Sequence, residues 1–408
     1  MSVGLLNTSV LTTDLAKKSF AGMITRLMPN GMSPLFGLTA MLPSETAVQT
    51  EHGFFTKTML LPEMTTSGAQ TSGATTLTVT STANILPGMV LRVDEGNHEN
   101  IIVNAVISST QVSVVRGVGS TAASISDAVK LFQIGSAFEE SSTRPNALNI
   151  NPVRITNYTQ IFRNTWGISD TVPQTLMIAG ETNVAESRMD CAAFHAADIE
   201  KAIFFGKKSQ STRNGQPFRT MDGLESIVGT LGNYPSYYSA VNAFTAGSTT
   251  TYPQLEGYLD PLFNQSTDPK VGNERLLFVG GTARKVINQI VRLATGTFYQ
   301  VTQNTTEWGL KYTTINTSRG TFNMIEHPLF NSNTSYSKMA VGVDISTFRI
   351  AYLGDRKTQN KEFNMDGSEA NDNGIDAVGG TLTTECTVVV KNPPANGFVY
   401  NLTAGAAG

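Results

Sequence analysis

Charge is scarce in this chain. Asp, Glu, Lys and Arg supply 15% of its 408 residues, against roughly 25% in ordinary soluble domains. The 29 basic and 32 acidic residues leave a net charge of -3, which excludes a global basic footprint for nucleic acid. Cysteine is nearly absent. Cys191 and Cys386 cannot build a disulfide framework. Both sit in apolar-patterned segments, which predicts inert, buried thiols in a protein folded in a reducing cytoplasm. No apolar run approaches the ~18 residues of a membrane span. The opening Met1-Ser-Val-Gly-Leu-Leu lacks the basic and apolar stretches of a secretory signal, so none is expected.

What is present is 40% hydrophobic residues, too many for a disordered chain. The polar remainder is rich in Thr, Ser and Asn. Residues 1–50 are weakly periodic. Lys17 to Met28 predicts a short helix ending at Pro29-Asn30-Gly31, and Pro34 to Met41 a second apolar stretch. Helices this short need something else to lie on. Residues 51–72 read as extended chain. From Ser72 to Ile134, short alternating runs are separated by turns such as Pro87-Gly88 and Glu95-Gly96. That spacing predicts a small β-sandwich or barrel inserted in a larger domain.

After extended stretches at 146–170, one long helix is expected. Ser169, Asp170 and Thr171 offer N-caps, Gly180 a break and Gly206 a stop. Ala185, Met189, Ala192, Ala196, Ile199 and Ile203 recur at three- and four-residue spacing and predict the buried stripe. Thr182 to Phe205 would span about 36 Å. Further on, a polar loop is expected at Lys207–Asn214. Helices are expected at 221–228, 252–263 and 282–294, and strands at 275–279, 339–353, 382–390 and 398–400. A hairpin is expected about Arg319-Gly320. The whole reads as α+β.

No constellation carries chemistry. Gly117-Val-Gly119-Ser-Thr-Ala122 matches a dinucleotide turn, but another strand follows it instead of a helix. Gly280-Gly281-Thr282 opens a helix without a P-loop lysine. The acidic stretch 366–376 fails the calcium-loop pattern because Gly380 stands where the bidentate Glu belongs. His52, His98, His195 and His327 show no paired metal spacing. Cys191 and His195 share a helix face but have no catalytic partner, and a packed histidine is expected. Lys207, Lys208, Arg213 and Arg219 form a small basic cluster suited to a solvated loop, to phosphate, or to a partner's acidic loop. The expectation is a non-enzyme with no cofactor and no metal.

Two blocks of sequence resemble a known family. Ile24-Thr-Arg-Leu-Met-Pro-Asn-Gly31 with Pro34-Leu-Phe-Gly-Leu38 resembles the N-terminal arm of tailed-phage major capsid proteins. Gln160-Ile-Phe-Arg163, Trp166-Gly-Ile-Ser-Asp-Thr171, Asn183-Val-Ala-Glu-Ser-Arg188, His195-Ala-Ala-Asp-Ile-Glu-Lys-Ala202 and Arg219-Thr-Met-Asp-Gly223 are similar to the same family. The resemblance implies the Hong Kong 97-type capsid fold. It assigns 1–50 to the arm and 51–160 to an extended β-loop carrying the all-β insert at about 72–135. A peripheral domain follows at 161–224, with its spine helix at about 173–206. An axial domain spans 225–340, and strands at 341–408 return to the peripheral domain.

The implied function is self-assembly into an icosahedral shell around phage DNA. Implied partners are other copies in hexamers and pentamers, a scaffolding protein, the portal and non-specifically bound double-stranded DNA. The implied location is the virion, after folding in the host cytoplasm. Candidate contacts between subunits are Glu139, Glu140 and Arg144, with Arg163 and Arg188 as their partners. The rival class is another virion or surface module, such as a decoration, fibre or adhesion protein. Its Thr- and Asn-rich strands would fit, but the long helix and the arm would not.

Overall fold

The computed structural model describes residues 43–57, 62–96, 98–149, 151–169, 171–174, 183–228, 242–264, 274–295, 303–305, 311–364 and 377–406. The helices expected at 17–28 and 34–41, the break at Gly180 and the acidic stretch 366–376 lie outside these residues. The chain divides into a body, Met1–Phe54 with Ile155–Gly408, and an inserted unit, Phe55–Arg154.

Strands β1 (Glu45–Ala47) and β2 (Glu51–Thr56) precede the insert. The insert contains β3 (Glu63–Thr65), β4 (Thr76–Thr78) and β5 (Met89–Val93). It continues with β6 (Asn100–Ser108), β7 (Gln111–Val115) and β8 (Lys130–Ser136). They pair in the order β3-β8-β5-β6-β7-β4, always antiparallel. The two ends of that order then meet. Ser67 N–H donates to Thr78 O and Thr80 N–H to Thr65 O, both at 2.9 Å. The sheet is therefore closed into a barrel, which leaves it no open edge. Alternation fills the interior: Met89, Leu91 and Val93 point inward from β5, Ile101 and Val103 from β6, Val112 and Val114 from β7. Irregular register at Val90/Leu91 and Val103/Ala105 supplies the bends that closure needs. β3 falls in the stretch that alternation alone assigns to extended chain. Three residues are too few to show a period.

One buried ion pair locks the barrel's loops. Arg116 grips Glu99 with two parallel bonds, Nε to Oε1 at 2.8 Å and Nη2 to Oε2 at 2.7 Å. The N–H groups of Gly117 and Ala123 donate to the same carboxylate at 2.7 and 3.1 Å. Arg116 also donates to Thr71 O at 3.0 Å. Burial pushes the Glu99 carboxyl up, but Arg116 and the two amides outweigh it and hold it below its ordinary value.

After the insert the chain resumes with β9 (Val153–Tyr158), which forms a two-stranded sheet with β2. Next come β10 (Gln160–Ser169), the short α1 (Thr171–Gln174) and the 23-residue α2 (Asn183–Phe205). Gly206 and Gly223 pack backbone to backbone at the end of α2, and a Cβ on either would meet a peptide atom at 2.6 Å. The segment expected as a polar loop is instead a hairpin, β11 (Ser209–Arg213) and β12 (Gln216–Thr220). Asn214 and Gly215, with φ of 53° and 72°, make its two-residue turn. Asn-Gly was the available signal.

Then follow α3 (Leu224–Val228), β13 (Ala243–Thr245), α4 (Tyr252–Leu259), β14 (Glu274–Val279) and α5 (Gly281–Thr295). β15 (Gln303–Thr305), β16 (Lys311–Asn316), β17 (Thr321–Glu326) and β18 (Ala340–Val343) come next. The last strands are β19 (Phe348–Leu353), β20 (Gln359–Asn364), β21 (Ala377–Val390) and β22 (Gly397–Tyr400).

Two sheets result. The first runs β1-β19-β21-β10, with β20 also on β21; the second runs β13-β22-β18-β14-β17-β16-β15. The stretch 339–353, expected as one strand, is two strands in different sheets. Asp344 Oδ1 accepts from Ser346 N–H at 3.1 Å and from its hydroxyl at 2.6 Å, which turns the chain between them. One core joins Ile199, Ile203 and Phe204 of α2 to Ile350 and Val388 of the first sheet and to Phe278 and Val341 of the second. The opposite face of β14 sends Leu277 and Val279 into a second core against α4 and α5.

The stripe expected on α2 holds at Ile199 and Ile203 and fails over its first half, at Met189 and Ala192. Met189 is 43% exposed, whereas Cys191, His195, Ile199 and Ile203 are buried. The small alanines fit any environment and blur the period.

Replacing Arg116 by Ala strands a buried carboxylate. The cost of breaking such a pair is about 3–5 kcal/mol. Denaturant unfolding followed on the insert should show that loss. A shift under 1 kcal/mol would contradict the clamp.

Candidate assembly surfaces

Helix α2 is fastened to both sheets by polar side chains. Asn164 of β10 donates to Asp198 of α2 at 3.1 Å, so its carbonyl oxygen accepts from His195 Nδ1 at 2.6 Å. His195 Nε2 then accepts the Thr384 hydroxyl at 2.8 Å, and that oxygen meets the Thr358 hydroxyl at 2.8 Å. On the side of the second sheet, His327 follows β17. Its Nδ1 accepts Leu329 N–H at 3.2 Å, so Nε2 bears the proton and donates to Glu200 of α2 at 3.0 Å. Both partners are fully buried. The His327 ring stacks on Phe330 and meets the edge of Phe204. Sequence pattern singled out His195 correctly as a packed, hydrogen-bonded residue, but the Glu200–His327 pair joins positions too far apart to be seen there.

The motifs that invited chemistry have structural work. Gly117, at φ 68°, gives its N–H to Glu99 and opens no helix. Gly281 N–H at the start of α5 is taken by Asn331 Oδ1 at 2.7 Å. Cys191 packs with Trp166 and Leu382, and burial pushes its thiol up. Cys386 is buried and its thiol is pushed up to about 12, first by burial and then by Glu385. Among the described residues no group of His, Cys, Asp and Glu could hold a metal ion, and no helix is long and apolar enough to cross a membrane.

The candidate contact residues are all exposed. Glu139, Glu140 and Arg144 lie in the insert, in a stretch that is exposed at every residue from 136 to 149. Arg163 stands on β10. Arg188 lies over the Trp166 ring at 5.0 Å and pairs with Glu362 at 2.7 Å, within its own chain. In the basic cluster, Lys208 is tied down by the Thr156 carbonyl and hydroxyl at 2.8 and 2.9 Å. Ser209–Phe218 of the hairpin are exposed throughout. Phe55 and Phe194 are 70% and 60% exposed. Among the described residues these are exposed surfaces, with no cleft converging on reactive groups.

A family model described as the SU10 major capsid protein matches residues 6–403. The chain belongs to the SU10 major capsid protein family. It is 35% identical over 411 residues to a major capsid protein of Pseudomonas phage PaMx41, covering 98% of this chain and 96% of that one. The fold is similar to that in the capsid of an empty GTA particle, with TM-score 0.50 and 8% identity over 98% of this chain and 100% of that one. A chain of Mycobacterium phage Cain gives TM-score 0.48 and 8% identity, covering 99% and 100%. The protein is thus a phage major capsid protein, a structural, non-enzymatic component of the virion shell. The decoration, fibre and adhesion readings fall away.

The His195 chain has a pH signature. Burial holds the His195 imidazolium below its ordinary 6.5, and the nearby Asp198 only partly offsets this. The folded state therefore favours the neutral ring. Stability from this site is full above about pH 6.5 and lost as pH falls through the lowered folded value. Thermal melts of the subunit from pH 8 to pH 5 should show Tm declining below about pH 6.5. His195→Gln should flatten that slope, and an unchanged slope would contradict the assignment.

Proposed function

We propose that copies of this chain close an icosahedral shell around phage DNA, built from hexamers and pentamers. In this reading 1–50 is an arm laid on neighbours and 51–160 an extended loop carrying the barrel. Residues 161–224 form a peripheral domain whose spine helix lies within 173–206. Residues 225–340 form an axial domain, and 341–408 return to the peripheral one. The chain folds in the host cytoplasm, and a scaffolding protein and the portal act during assembly. A net charge of -3 suits non-specific contact with packaged DNA, because counterions neutralise most of the phosphate charge.

The observation that carries the reading is surface the chain leaves uncovered: residues 136–149 and 209–218 are exposed without a break. Neighbouring copies can supply that cover. Glu139, Glu140, Arg144, Arg163 and Arg188 are the proposed contact charges, Arg188 sharing its charge with Glu362. An exposed pair contributes about 0–1 kcal/mol. Symmetry repeats each pair around the shell, so weak contacts sum to closure.

Expressed alone and with its genomic neighbours, the chain should give shells, hexamers or pentamers in negative-stain electron microscopy. A monomer in every condition, scaffold included, would overturn the reading. Arg144→Glu should lower shell yield; wild-type yield would remove Arg144 from the contacts.

A further inference from the structure

The β11–β12 hairpin is an unusual surface. It is a two-stranded sheet with no third strand on either edge among the described residues. Isolated two-stranded ribbons are marginal in water, and this one is exposed on both faces from Ser209 to Phe218. No carboxylate occurs between Lys207 and Met221. Register puts Ser211 opposite Phe218 and Arg213 opposite Gln216, so Arg213 and Phe218 share one face. Arg219, opposite Gln210, lies on the other, and its Nε is buried without a hydrogen-bond partner. The ribbon thus offers a cation on each face, Arg213 beside a Phe218 ring that is 43% exposed and Arg219 on the reverse.

A complementary surface exists on the same chain. Glu139 to Ser142 form a turn closed by Ser142 N–H to Glu139 O at 3.2 Å, with Ser141 at φ 65°. The turn presents Glu139 and Glu140 side by side. Phe138, 46% exposed, precedes it and packs its ring edge against Gly88, where any Cβ would collide. That contact anchors the acidic turn. Each surface therefore has one half-exposed phenylalanine and two charges of one sign.

We infer that the β11–β12 hairpin of one subunit receives the Phe138–Glu140 turn of a second copy, the two adjacent acids straddling the ribbon edge, one toward Arg213 on the Phe218 face and the other toward Arg219 on the opposite face. The inference rests on the shell reading above and names a contact within it. Arg188 is a poorer partner for these acids because Glu362 already engages it. DNA phosphate is disfavoured as occupant because a duplex covers one face of the ribbon and leaves Phe218 without an apolar partner. Complementary charge fixes which surfaces meet, and buried aromatic area adds affinity.

The test is a charge swap in shells made by the full chain. Arg213→Glu with Arg219→Glu, and separately Glu139→Lys with Glu140→Lys, should each lower shell yield by about tenfold or more. Subunit Tm should hold, since surface changes rarely move stability. All four changes together should restore yield to within about threefold of wild type. Glu140→Cys combined with Arg213→Cys gives a second readout. Mild oxidation of assembled particles should produce a ladder of linked chains on a non-reducing gel, with the buried Cys191 and Cys386 silent. Wild-type yield from either double variant, no recovery in a folded fourfold variant, or only monomers on the gel would overturn the pairing. Normal shells with weakened, salt-dependent DNA retention in the Arg213→Glu, Arg219→Glu variant would assign the hairpin to DNA instead. Absence of shells from the unaltered chain would count against the shell reading itself.

Discussion

The body depends on one shared core. Ile199, Ile203 and Phe204 of α2 lie between Ile350 and Val388 of one sheet and Phe278 and Val341 of the other. Without that wedge, each sheet would bare an apolar face. The polar fastenings, His195 through Asn164 and Thr384 and Glu200 through His327, fix the rotation and height of the helix. Apolar burial supplies the drive, and the buried hydrogen bonds select one docking among several of similar area. Gly380 belongs to the same arrangement. It lies opposite Trp166 across β10 and β21, and a Cβ there would meet the indole at 2.7 Å.

The insert solves burial differently. Its strands close on themselves around their own core and leave no sheet edge for indiscriminate pairing. In a protein that must associate with copies of itself, that closure matters. It leaves other surfaces, such as the exposed 136–149 stretch and the hairpin, to make the proposed contacts. Stable units with deliberately uncovered segments are what a shell subunit requires.

Much of this was legible in the sequence. Short alternating runs between Ser72 and Ile134 announced an all-β insert, because period two survives wherever one face is buried. Strands such as 275–279 and 382–390 were equally plain. The misses have physical causes. The 209–220 ribbon buries neither face, so it carries no hydrophobic period, and only Asn214-Gly215 marked it. The first half of the stripe on α2 was misplaced, while Ile199 and Ile203 held, because alanines are neutral markers and because polar His195 and Glu200 occupy buried positions. The 339–353 stretch is apolar on both sides of Asp344, Ser346 and Thr347, which hid the turn between two strands. The proposed contact charges could be named from polarity alone, and of these Arg188 pairs with Glu362 of its own chain.

In the shell reading, exposed segments of the folded subunit become covered when copies assemble. Amide hydrogen exchange of free subunits compared with shells tests it most directly. Residues 136–149 and 209–218 should gain protection on assembly, while barrel-core amides such as Leu91, Ile101 and Leu131 should keep the protection they already have. Unchanged exchange in both exposed segments, in particles verified as closed shells, would contradict the account.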